Sequence, residues 1–377
     1  MELIFWVAFL GACYSYFIYP ILLLMMPRRY KRSQTPESSL IPNITVIITA
    51  HNEESRIREK IINTLALDYP RESLEILIAS DASTDATDAI VGEFKQQGIG
   101  LVRADERKGK EYAQLHAIRA AKGDILVFSD VATEIREGAL KLIASRFADP
   151  KIGAISSEDS FITEDGSIAG EGAYVKYEMW LRKLESEVYS LVGLSGSFFA
   201  ARSCICKEWD INIPSDFNTA LNCARKGYVA VTDKDIVGYY KDIKNKKGEY
   251  SRKLRTVIRG ISAVMSKPDV LNPFQFGFFA FEVWSHKIMR WLVPWFLLAL
   301  LVSNTFLISA HPIYLLIMIL QLIFYSLVLA GAVIPKLRDK TAIKIPFYFI
   351  EVNAAIAHAT IAYIFGKRVT VWTPSKR

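Results

Sequence analysis

The sequence predicts an α/β fold, a mostly parallel sheet with helices on both faces, together with transmembrane helices. Apolar strands alternate with amphipathic helices from about residue 40 to residue 262, which is the pattern of such a sheet. Three apolar runs outside that block, residues 3–26, 288–309 and 312–335, are long enough to cross a bilayer as helices. The composition of the 377 residues, 51% hydrophobic and 23% charged, therefore averages over two kinds of segment.

Positive charge beside the apolar runs predicts the side of the membrane on which the α/β block lies. Four basic residues follow the first run, namely Arg28, Arg29, Lys31 and Arg32. Four more follow the hairpin of residues 288–335, namely Lys336, Arg338, Lys340 and Lys344. Because such clusters mark the cytoplasmic side, we expect a multi-pass protein of the cell (inner) membrane with a cytoplasmic α/β block. The first run lacks a basic start and is too long for a cleaved signal peptide.

Residues 346–366 leave two arrangements open. The segment carries Glu351, Asn353 and His358 and has basic residues on both flanks, so a full span would leave one basic flank outside. We favour a re-entrant or interfacial helix over a fourth span, with Glu351 and His358 on one face as a polar seam against protein. The predicted order is a transmembrane helix (1–27), the α/β domain (40–262), an interfacial helix (270–287), the hairpin (288–335), this helix (346–366) and a basic cytoplasmic tail (367–377).

Charge and cysteine content disfavour two other kinds of site. The net charge of +7 is concentrated in the membrane-flanking clusters, which suits contact with anionic membrane lipids and leaves no separate patch for nucleic acid. The four cysteines, Cys13, Cys204, Cys206 and Cys223, lack the spacing of a metal site and are expected to be reduced thiols.

Local patterns predict the elements of the α/β block. Short apolar runs bounded by turn residues predict strands at residues 44–50, 74–80, 98–103, 124–129 and 198–201. Apolar residues at helical spacing, several of them after Ser, Thr or Asp, predict helices that begin near residues 55, 83, 111, 173, 216 and 250. The strand pattern weakens beyond Asp130.

Two acidic residues lie where predicted strands end. Asp81 follows the strand Leu74-Glu-Ile-Leu-Ile-Ala-Ser80, and Asp130 ends Gly123-Asp-Ile-Leu-Val-Phe-Ser-Asp130. Sheets of this kind bind ligands at the carboxyl ends of their strands, and Lys110, in a Gly-Lys pair, comes between the two acids in the chain. The pattern indicates a nucleotide-diphosphate site held close to a bilayer.

Seven short motifs in the α/β block carry a family resemblance. They are Ile48-Thr-Ala-His-Asn-Glu-Glu54, Ser80-Asp-Ala-Ser-Thr-Asp85, Arg107-Lys-Gly-Lys110, Ser129-Asp-Val-Ala132, Gly193-Leu-Ser-Gly-Ser197, Ser215-Asp216 and Arg252-Lys-Leu-Arg255. In this order they resemble the membrane-attached inverting glycosyltransferases of family 2, which have the GT-A fold. The membrane layout is similar to that of hyaluronan, cellulose and poly-N-acetylglucosamine synthases.

The resemblance implies a role for each motif. Asp216 would be the general base that takes the proton of the acceptor hydroxyl. Asp130 would hold a divalent cation, Mg2+ or Mn2+, on the donor diphosphate, and Lys110 would lie near that diphosphate. Asp81 and the turn of Ala50, His51 and Glu53 would hold the base and ribose. The other donor-binding residues that it implies are Ser195, Gly196, Arg252 and Arg255.

Plainer interpretations remain for several of these residues. Asp81, Asp85 and Asp216 also have the positions of helix caps, and for Asp85 we prefer the cap. The basic run Arg252–Arg259 is also typical of a solvated or lipid-facing stripe. Thr163-Glu-Asp165 has the spelling of the base motif in some relatives, but it precedes the small-residue loop that the family's base follows.

Four positions depart from the family pattern. Ala132 stands where the second acid of Asp-X-Asp is expected, and Ser215 replaces the Glu of the Glu-Asp pair. Arg252 and Thr256 replace the Gln and Trp of Gln-X-X-Arg-Trp. Because processive members use that last motif near the acceptor, and because three spans offer little material for a polymer channel, we favour the addition of a single sugar.

The predicted function is that of a membrane-embedded, metal-assisted, inverting glycosyltransferase. It would transfer a sugar from a nucleotide-sugar, UDP-linked in our prediction, to a lipid-linked or glycan acceptor at the cytoplasmic face, in cell-surface polysaccharide synthesis. Two alternatives remain open. One is a processive synthase that also extrudes its polymer, and the other is a non-catalytic membrane scaffold that binds a nucleotide-sugar.

Overall fold

The computed structural model describes residues 1–29, 41–162, 173–241 and 249–369. The described residues divide into two compact units. One, which we call the helical unit, comprises Met1–Met25, Asn245–Ile261 and Phe281–Arg368. The other, which we call the sheet unit, comprises Met26–Lys244 and Ser262–Ala280.

An eight-stranded sheet organises the described residues of the sheet unit. Its strands are β1 Ile44–Ala50, β2 Leu74–Ser80, β3 Ile99–Arg103, β4 Ile125–Asp130, β5 Glu134–Ile135, β6 Ile152–Ile162, β7 Phe198–Arg202 and β8 Val229–Lys241. Their order across the sheet is β3-β2-β1-β4-β7-β6-β8-β5. The first four strands in this order are parallel, β7 is antiparallel to β4 and β6, and β6 is parallel to β8. The mostly parallel sheet confirms the predicted fold class.

Helices cover both faces of this sheet and form the helical unit. In chain order the described helices are α1 Glu2–Met25, α2 Ile57–Leu65, α3 Thr87–Glu93, α4 Lys110–Ala120, α5 Ala139–Arg146, α6 Ala173–Val188, α7 Ser203–Cys206, α8 Ser215–Arg225, α9 Glu249–Ser266, α10 Pro273–Phe276, α11 Phe278–Leu307, α12 Pro312–Val333 and α13 Thr341–Ile364. Asp85 Oδ1 accepts a 2.9 Å hydrogen bond from the Thr87 amide where α3 begins. Ala86 is the N-cap residue of α3 and has no side-chain cap, so Asp85 supports the start of the helix from the position before the cap.

Two apolar cores, one on each face, hold the sheet between its helices. Ile44, Val46 and Ile48 of β1 belong to one core, and Ile47 belongs to the other, because successive side chains of a strand point to opposite faces. Burying one such side chain contributes about 1.5–3 kcal/mol. Strands buried on both faces are nearly continuous apolar runs in sequence, which is why the central strands were predictable.

The sequence did not predict β5, β6, β8 or helix α5. β6 and β8 pair with register shifts between Ile152 and Ala154 and between Ser156 and Glu158. A shift of one residue turns the following side chains to the opposite face. Apolar and polar residues therefore do not alternate regularly along either strand, and polar residues occupy the middle of β6.

Four described helices, α1, α11, α12 and α13, are long and apolar enough to cross a membrane. The 24 residues of α13 have the length and composition of a span, and its arrangement across or along the membrane stays a prediction. The segment predicted as one interfacial helix at 270–287 differs in the structure. Gly277, with a φ of 51°, separates the short α10 from α11, which continues without a break from Phe278 to Leu307.

Several polar side chains of the helical unit lie close to one another. Tyr14 Oη and Ser285 Oγ lie 3.0 Å apart, where α1 and α11 each contain a π-helical segment. Such pairing is needed in lipid, where water does not satisfy polar groups. On α13, Glu351 lies 3.8 Å from Lys253 Nζ of α9, and His358 Nδ1 lies 3.2 Å from the Tyr250 hydroxyl. The predicted seam of Glu351 and His358 thus contacts protein.

Candidate active site

The carboxyl ends of β1 and β2 bring two of the predicted donor-binding segments together. The strands are parallel neighbours, so both end at the same edge of the sheet. The Asp81 amide donates to the Ala50 carbonyl at 2.9 Å, and His51 Nδ1 lies 2.7 Å from the Asp81 carbonyl. Glu53, in the same turn, is buried, and its pKa is raised chiefly by burial, with Asp130 also raising it.

The turns after these two strands hold residues in the left-handed backbone region. Asn52 has a φ of 54° and Ala82 a φ of 49°, a region that costs a residue with a Cβ about 1–2 kcal/mol. Hydrogen bonds between the turns support them, from the Asn52 amide to Ser83 Oγ at 3.2 Å and from the Thr84 amide to Asn52 Oδ1 at 2.8 Å. Strained backbone of this kind is concentrated at functional sites.

Asp81 supports the next loop of the site in this structure. Its buried carboxylate accepts hydrogen bonds from the Lys108 amide at 3.1 Å and from the Gly109 amide, which lies 3.0 Å from each oxygen. Gly109 has a φ of 102°, which glycine adopts easily and other residues avoid. Asp81 therefore holds the turn from which α4 begins with Lys110. Its predicted contact with the base and ribose stays a prediction.

Lys110 connects the end of β4 to the loop Gly193–Ser197, which we call the small-residue loop. The side chain is almost buried, and its Nζ donates to Asp130 Oδ1 at 2.5 Å and to the Gly196 carbonyl at 2.6 Å. An ammonium at this position is suited to the oxygens of a diphosphate. The structure thus joins three residues that the sequence assigned separately to the donor site.

Asp216 approaches the same loop. A Cβ built on Gly196 would lie 3.3 Å from Asp216 Oδ2, so the glycine permits a close approach of the acid to the loop backbone. Asp216 lies in the first turn of α8, which begins at Ser215. Gly196 therefore contacts Lys110 through its carbonyl and lies next to the predicted base.

A buried lysine that sequence reasoning missed lies behind Asp130. Lys60 of α2 donates from Nζ to the Thr133 carbonyl at 2.5 Å, in the turn that follows Asp130. Burial lowers the pKa of Lys60 to about 7, while Asp130 and Glu134 act to raise it. The available signal was a lysine on the apolar face of an amphipathic helix, one position before Ile61.

A second buried lysine holds the helix that carries Asp216. Lys267 Nζ donates to the side-chain oxygens of Asn218 and Asn222, both buried on α8. Burial lowers the pKa of Lys267 to about 8. Because the residues of this contact are far apart in sequence, no local pattern predicted it.

Hydroxyl groups surround Asp159 on β6. Its Oδ1 accepts hydrogen bonds from Ser195 Oγ at 2.6 Å and from the Tyr240 hydroxyl at 3.2 Å. Ser197 Oγ lies 3.1 Å from Ser195 Oγ and accepts a hydrogen bond from Tyr240. Burial raises the pKa of Asp159, against the lowering effects of the hydroxyls and of Arg182. We call Asp159, Ser195, Ser197 and Tyr240 the Asp159 cluster; only Ser195 was a predicted site residue.

Arg252 and Arg255 lie on α9, in the helical unit. Burial lowers the pKa of Arg255, and the positive charges of Arg259 and Arg252 lower it further. Like charges are thus concentrated on this helix, while the binding of the two arginines to the donor stays a prediction. The alternative base motif Thr163-Glu-Asp165 lies outside the described residues.

Asp130 was the predicted metal ligand. No group of three His, Cys, Asp or Glu side chains in the described ranges forms a metal site by itself, and Ala132 offers no side-chain oxygen. Mg2+ in nucleotide sites is usually held by one or two carboxylates, with phosphate oxygens and water as the other ligands. The side-chain oxygen of Asp130 therefore fits a cation that is also coordinated by a diphosphate. The described side chains do not form a complete coordination shell by themselves.

Part of the chain is similar in sequence to known proteins. Residues 45–204 match the family described as Glycosyl transferase family 2. The chain is 29% identical over 178 residues to poly-beta-1,6-N-acetyl-D-glucosamine synthase of Staphylococcus aureus. It is 28% identical over 148 residues to beta-monoglucosyldiacylglycerol synthase of Synechocystis. The matches cover 46% and 38% of this chain, but only 40% and 31% of the length of those two relatives.

A solved structure matches the fold over nearly the whole chain. The mannosyltransferase PcManGT from Pyrobaculum calidifontis, solved in complex with GDP-Man and Mn2+, has a TM-score of 0.72 and 22% sequence identity. The likeness covers 97% of this chain and 99% of the other, and it shows a GT-A fold. Residues 45–204 are therefore similar to a family 2 glycosyltransferase domain, and the chain has a GT-A fold. Four described helices outside that region are long and apolar enough to cross a membrane.

Proposed function

We propose that this enzyme transfers a sugar from a nucleotide-sugar to a lipid-linked or glycan acceptor, with inversion at the anomeric carbon. One observation carries the proposal: Lys110, Asp130 and Asp216 meet around Gly196 in a family 2 domain. Lys110 supplies the positive charge that a leaving diphosphate needs, and Asp216 supplies the carboxylate that an acceptor hydroxyl needs. A displacement requires these two groups on either side of the reacting carbon.

The chemistry follows from these positions. Asp216 accepts the proton of the acceptor hydroxyl while the hydroxyl oxygen forms a bond to the anomeric carbon. The bond between that carbon and the phosphate oxygen breaks, and the nucleoside diphosphate leaves with the electron pair. Attack opposite the leaving group inverts the carbon. Lys110 stabilises the charge that develops on the diphosphate.

In the same proposal Asp130 holds a divalent cation, Mg2+ or Mn2+, that binds together with the diphosphate. When bound, the cation neutralises phosphate charge. PcManGT, which shares the fold, was solved with Mn2+. Because Ala132 replaces a second acid and Lys110 already contacts Asp130 Oδ1, we expect weaker cation binding than at a site with two carboxylates.

Removal of divalent cations is expected to lower turnover by roughly 10- to 100-fold, equivalent to about 1.4–2.7 kcal/mol of activation free energy. Turnover does not vanish, because Lys110 still neutralises part of the diphosphate charge. The measurement is nucleoside diphosphate release from purified enzyme in EDTA, followed by addition of excess Mn2+ or Mg2+. Full activity in EDTA would exclude a cation at Asp130.

A panel of nucleotide-sugars tests the function itself. Purified enzyme in detergent or nanodiscs is given UDP-linked sugars and GDP-Man with membrane lipids as acceptors, and release of the nucleoside diphosphate is measured. We expect turnover with a UDP-linked donor and, by NMR, a product of inverted anomeric configuration. Absence of turnover with every donor would contradict the proposal, and retained configuration would exclude the single displacement.

The acceptor and the number of additions are further parts of the proposal. One relative is named as the synthase of a glycolipid and the other as the synthase of a polysaccharide. We favour a single addition at the cytoplasmic face of the cell membrane, because Arg252 and Thr256 replace the Gln and Trp that processive members use and the basic flanks favour cytoplasmic placement. Product size decides between one sugar per acceptor and the ladder that a processive synthase would make.

A further inference from the structure

The Asp159 cluster lies beside the loop on which the proposed reaction depends. Ser195 and Ser197 flank Gly196, whose carbonyl binds Lys110 and whose backbone lies next to Asp216. In a displacement at the anomeric carbon, the transferred sugar must lie between the leaving diphosphate and the base. Because Lys110 and Asp216 meet at Gly196, side chains that flank this glycine line the space for the transferred sugar.

The cluster also reaches the Asp130 side of the site. The Ser197 carbonyl accepts a 2.9 Å hydrogen bond from the Asp130 amide. Burial raises the pKa of Tyr240, and the carboxylates of Asp159 and Asp130 raise it further, so its hydroxyl stays a hydrogen-bond donor near both acids. The cluster is thus held at the end of β4 where the diphosphate is expected.

Asp159 has the chemistry of a sugar-binding residue. Within the described part of the chain, its side-chain hydrogen bonds go to Oδ1, and the side chain is partly exposed while Ser195 and Tyr240 are buried. The neighbouring hydroxyls and the charge of Arg182 favour the ionised form of Asp159, against the effect of burial. An ionised carboxylate accepts hydrogen bonds through both oxygens, and serine hydroxyls donate or accept. A sugar hydroxyl placed here would donate to Oδ2 and exchange hydrogen bonds with the serines.

We propose that Asp159 is a specificity-determining residue that binds a hydroxyl group of the transferred sugar, with Ser195 and Ser197 as neighbouring hydrogen-bond partners. The inference rests on the proposed function and deepens it by naming the class of sugar. The site takes a neutral sugar with a free hydroxyl at this position, such as a hexose or an N-acetylhexosamine. A uronic acid would bring a second carboxylate towards Asp159, and like charges repel.

The test compares binding of a nucleotide-sugar with binding of the corresponding nucleoside diphosphate, using calorimetry on the purified full chain. In Asp159→Asn, affinity for the nucleotide-sugar is expected to fall about 10- to 100-fold, the effect of losing a hydrogen bond to a charged group. Affinity for the nucleoside diphosphate, which lacks the sugar, is expected to stay the same. The preference for a neutral sugar over the matching uronic acid should also fall.

Asp233→Asn is the matched control, because it makes the same substitution in the same sheet at a carboxylate paired with Arg146. It should leave both affinities unchanged. If Asp159→Asn does not fold, Ser195→Ala removes one hydroxyl of the cluster and should lower affinity for the nucleotide-sugar in the same selective way.

Three results would overturn the inference. Equal loss of both affinities would mean that Asp159 only positions the loop, and unchanged binding would mean that it contributes nothing. A change confined to the KM of the acceptor would place the cluster on the acceptor side. Turnover by the protein without substitutions distinguishes failure of this inference from failure of the proposed function. Turnover with any nucleotide-sugar supports the proposed function, whatever the effect of Asp159→Asn. Absence of turnover with every nucleotide-sugar would contradict both the proposed function and the inference about Asp159.

Discussion

Asp216→Asn is expected to lower turnover about 1,000-fold, within the range of about 100- to 10,000-fold that a general base contributes. Asn has nearly the same shape but does not take the proton of the acceptor hydroxyl, so the attacking oxygen stays a poor nucleophile. Donor binding should stay close to that of the unchanged enzyme, because Lys110 and Asp130 keep their contacts. The measurements are nucleoside diphosphate release with acceptor present and calorimetric binding of the donor.

Asp210→Asn is the control for that variant. Asp210 precedes α8, and its Oδ1 accepts a 2.9 Å hydrogen bond from the Asn212 amide. A change here should alter turnover by no more than about twofold, as expected for a surface substitution. Transfer that persisted in Asp216→Asn at the rate of the control would show that another group takes the proton.

Lys110→Met is expected to weaken donor binding about 10- to 100-fold, because charge-assisted hydrogen bonds are each worth roughly 1.5–3 kcal/mol. Turnover should fall as well, since the ammonium also stabilises the departing diphosphate. The variant frees Asp130 Oδ1 from its contact with Lys110, so we expect a steeper dependence on Mn2+ than in the unchanged enzyme. Donor affinity and turnover are measured across a Mn2+ titration.

Lys108→Met separates the specific contact from a general loss of positive charge. Lys108 is two residues away in the same loop, and its side chain pairs with Glu106 at the surface. Its backbone amide, which binds Asp81, is unaffected by the substitution. We expect donor affinity near that of the unchanged enzyme. If donor affinity fell equally in Lys110→Met and Lys108→Met, the proposed contact between Lys110 and the diphosphate would be wrong.

The central strands and the residues at their ends were predictable because they depend on local pattern. β1, β2 and β4 are buried on both faces and are nearly continuous apolar runs in sequence. The ends of parallel strands lie at one edge of a sheet, so Asp81 and Asp130 were expected at a ligand site. Lys110 was noted between these two acids, but its place beside the diphosphate and the role of Asp216 came only from the order of the family motifs.

Other features of the site depend on pairing between distant parts of the chain. The bulged pairing of β6 with β8 places Asp159 and Tyr240 beside the small-residue loop, and no steady period marked those strands. The prediction that Asp81 binds the base and ribose missed its hydrogen bonds to Lys108 and Gly109, because the turn that it holds is 27 residues further along the chain.

The sequence by itself determined the apolar runs at residues 3–26, 288–309 and 312–335, the parallel centre of the sheet and the acids at its edge. These features are predictable because runs and periodic spacing of apolar residues indicate which positions along the chain are buried. Only the tertiary structure decided that Lys110 and Asp216 both lie next to Gly196, and that Asp159 binds Ser195 of the same loop. Such contacts between distant residues depend on strand pairing and on close approach of the backbone. Neither of these produces a local pattern in the sequence.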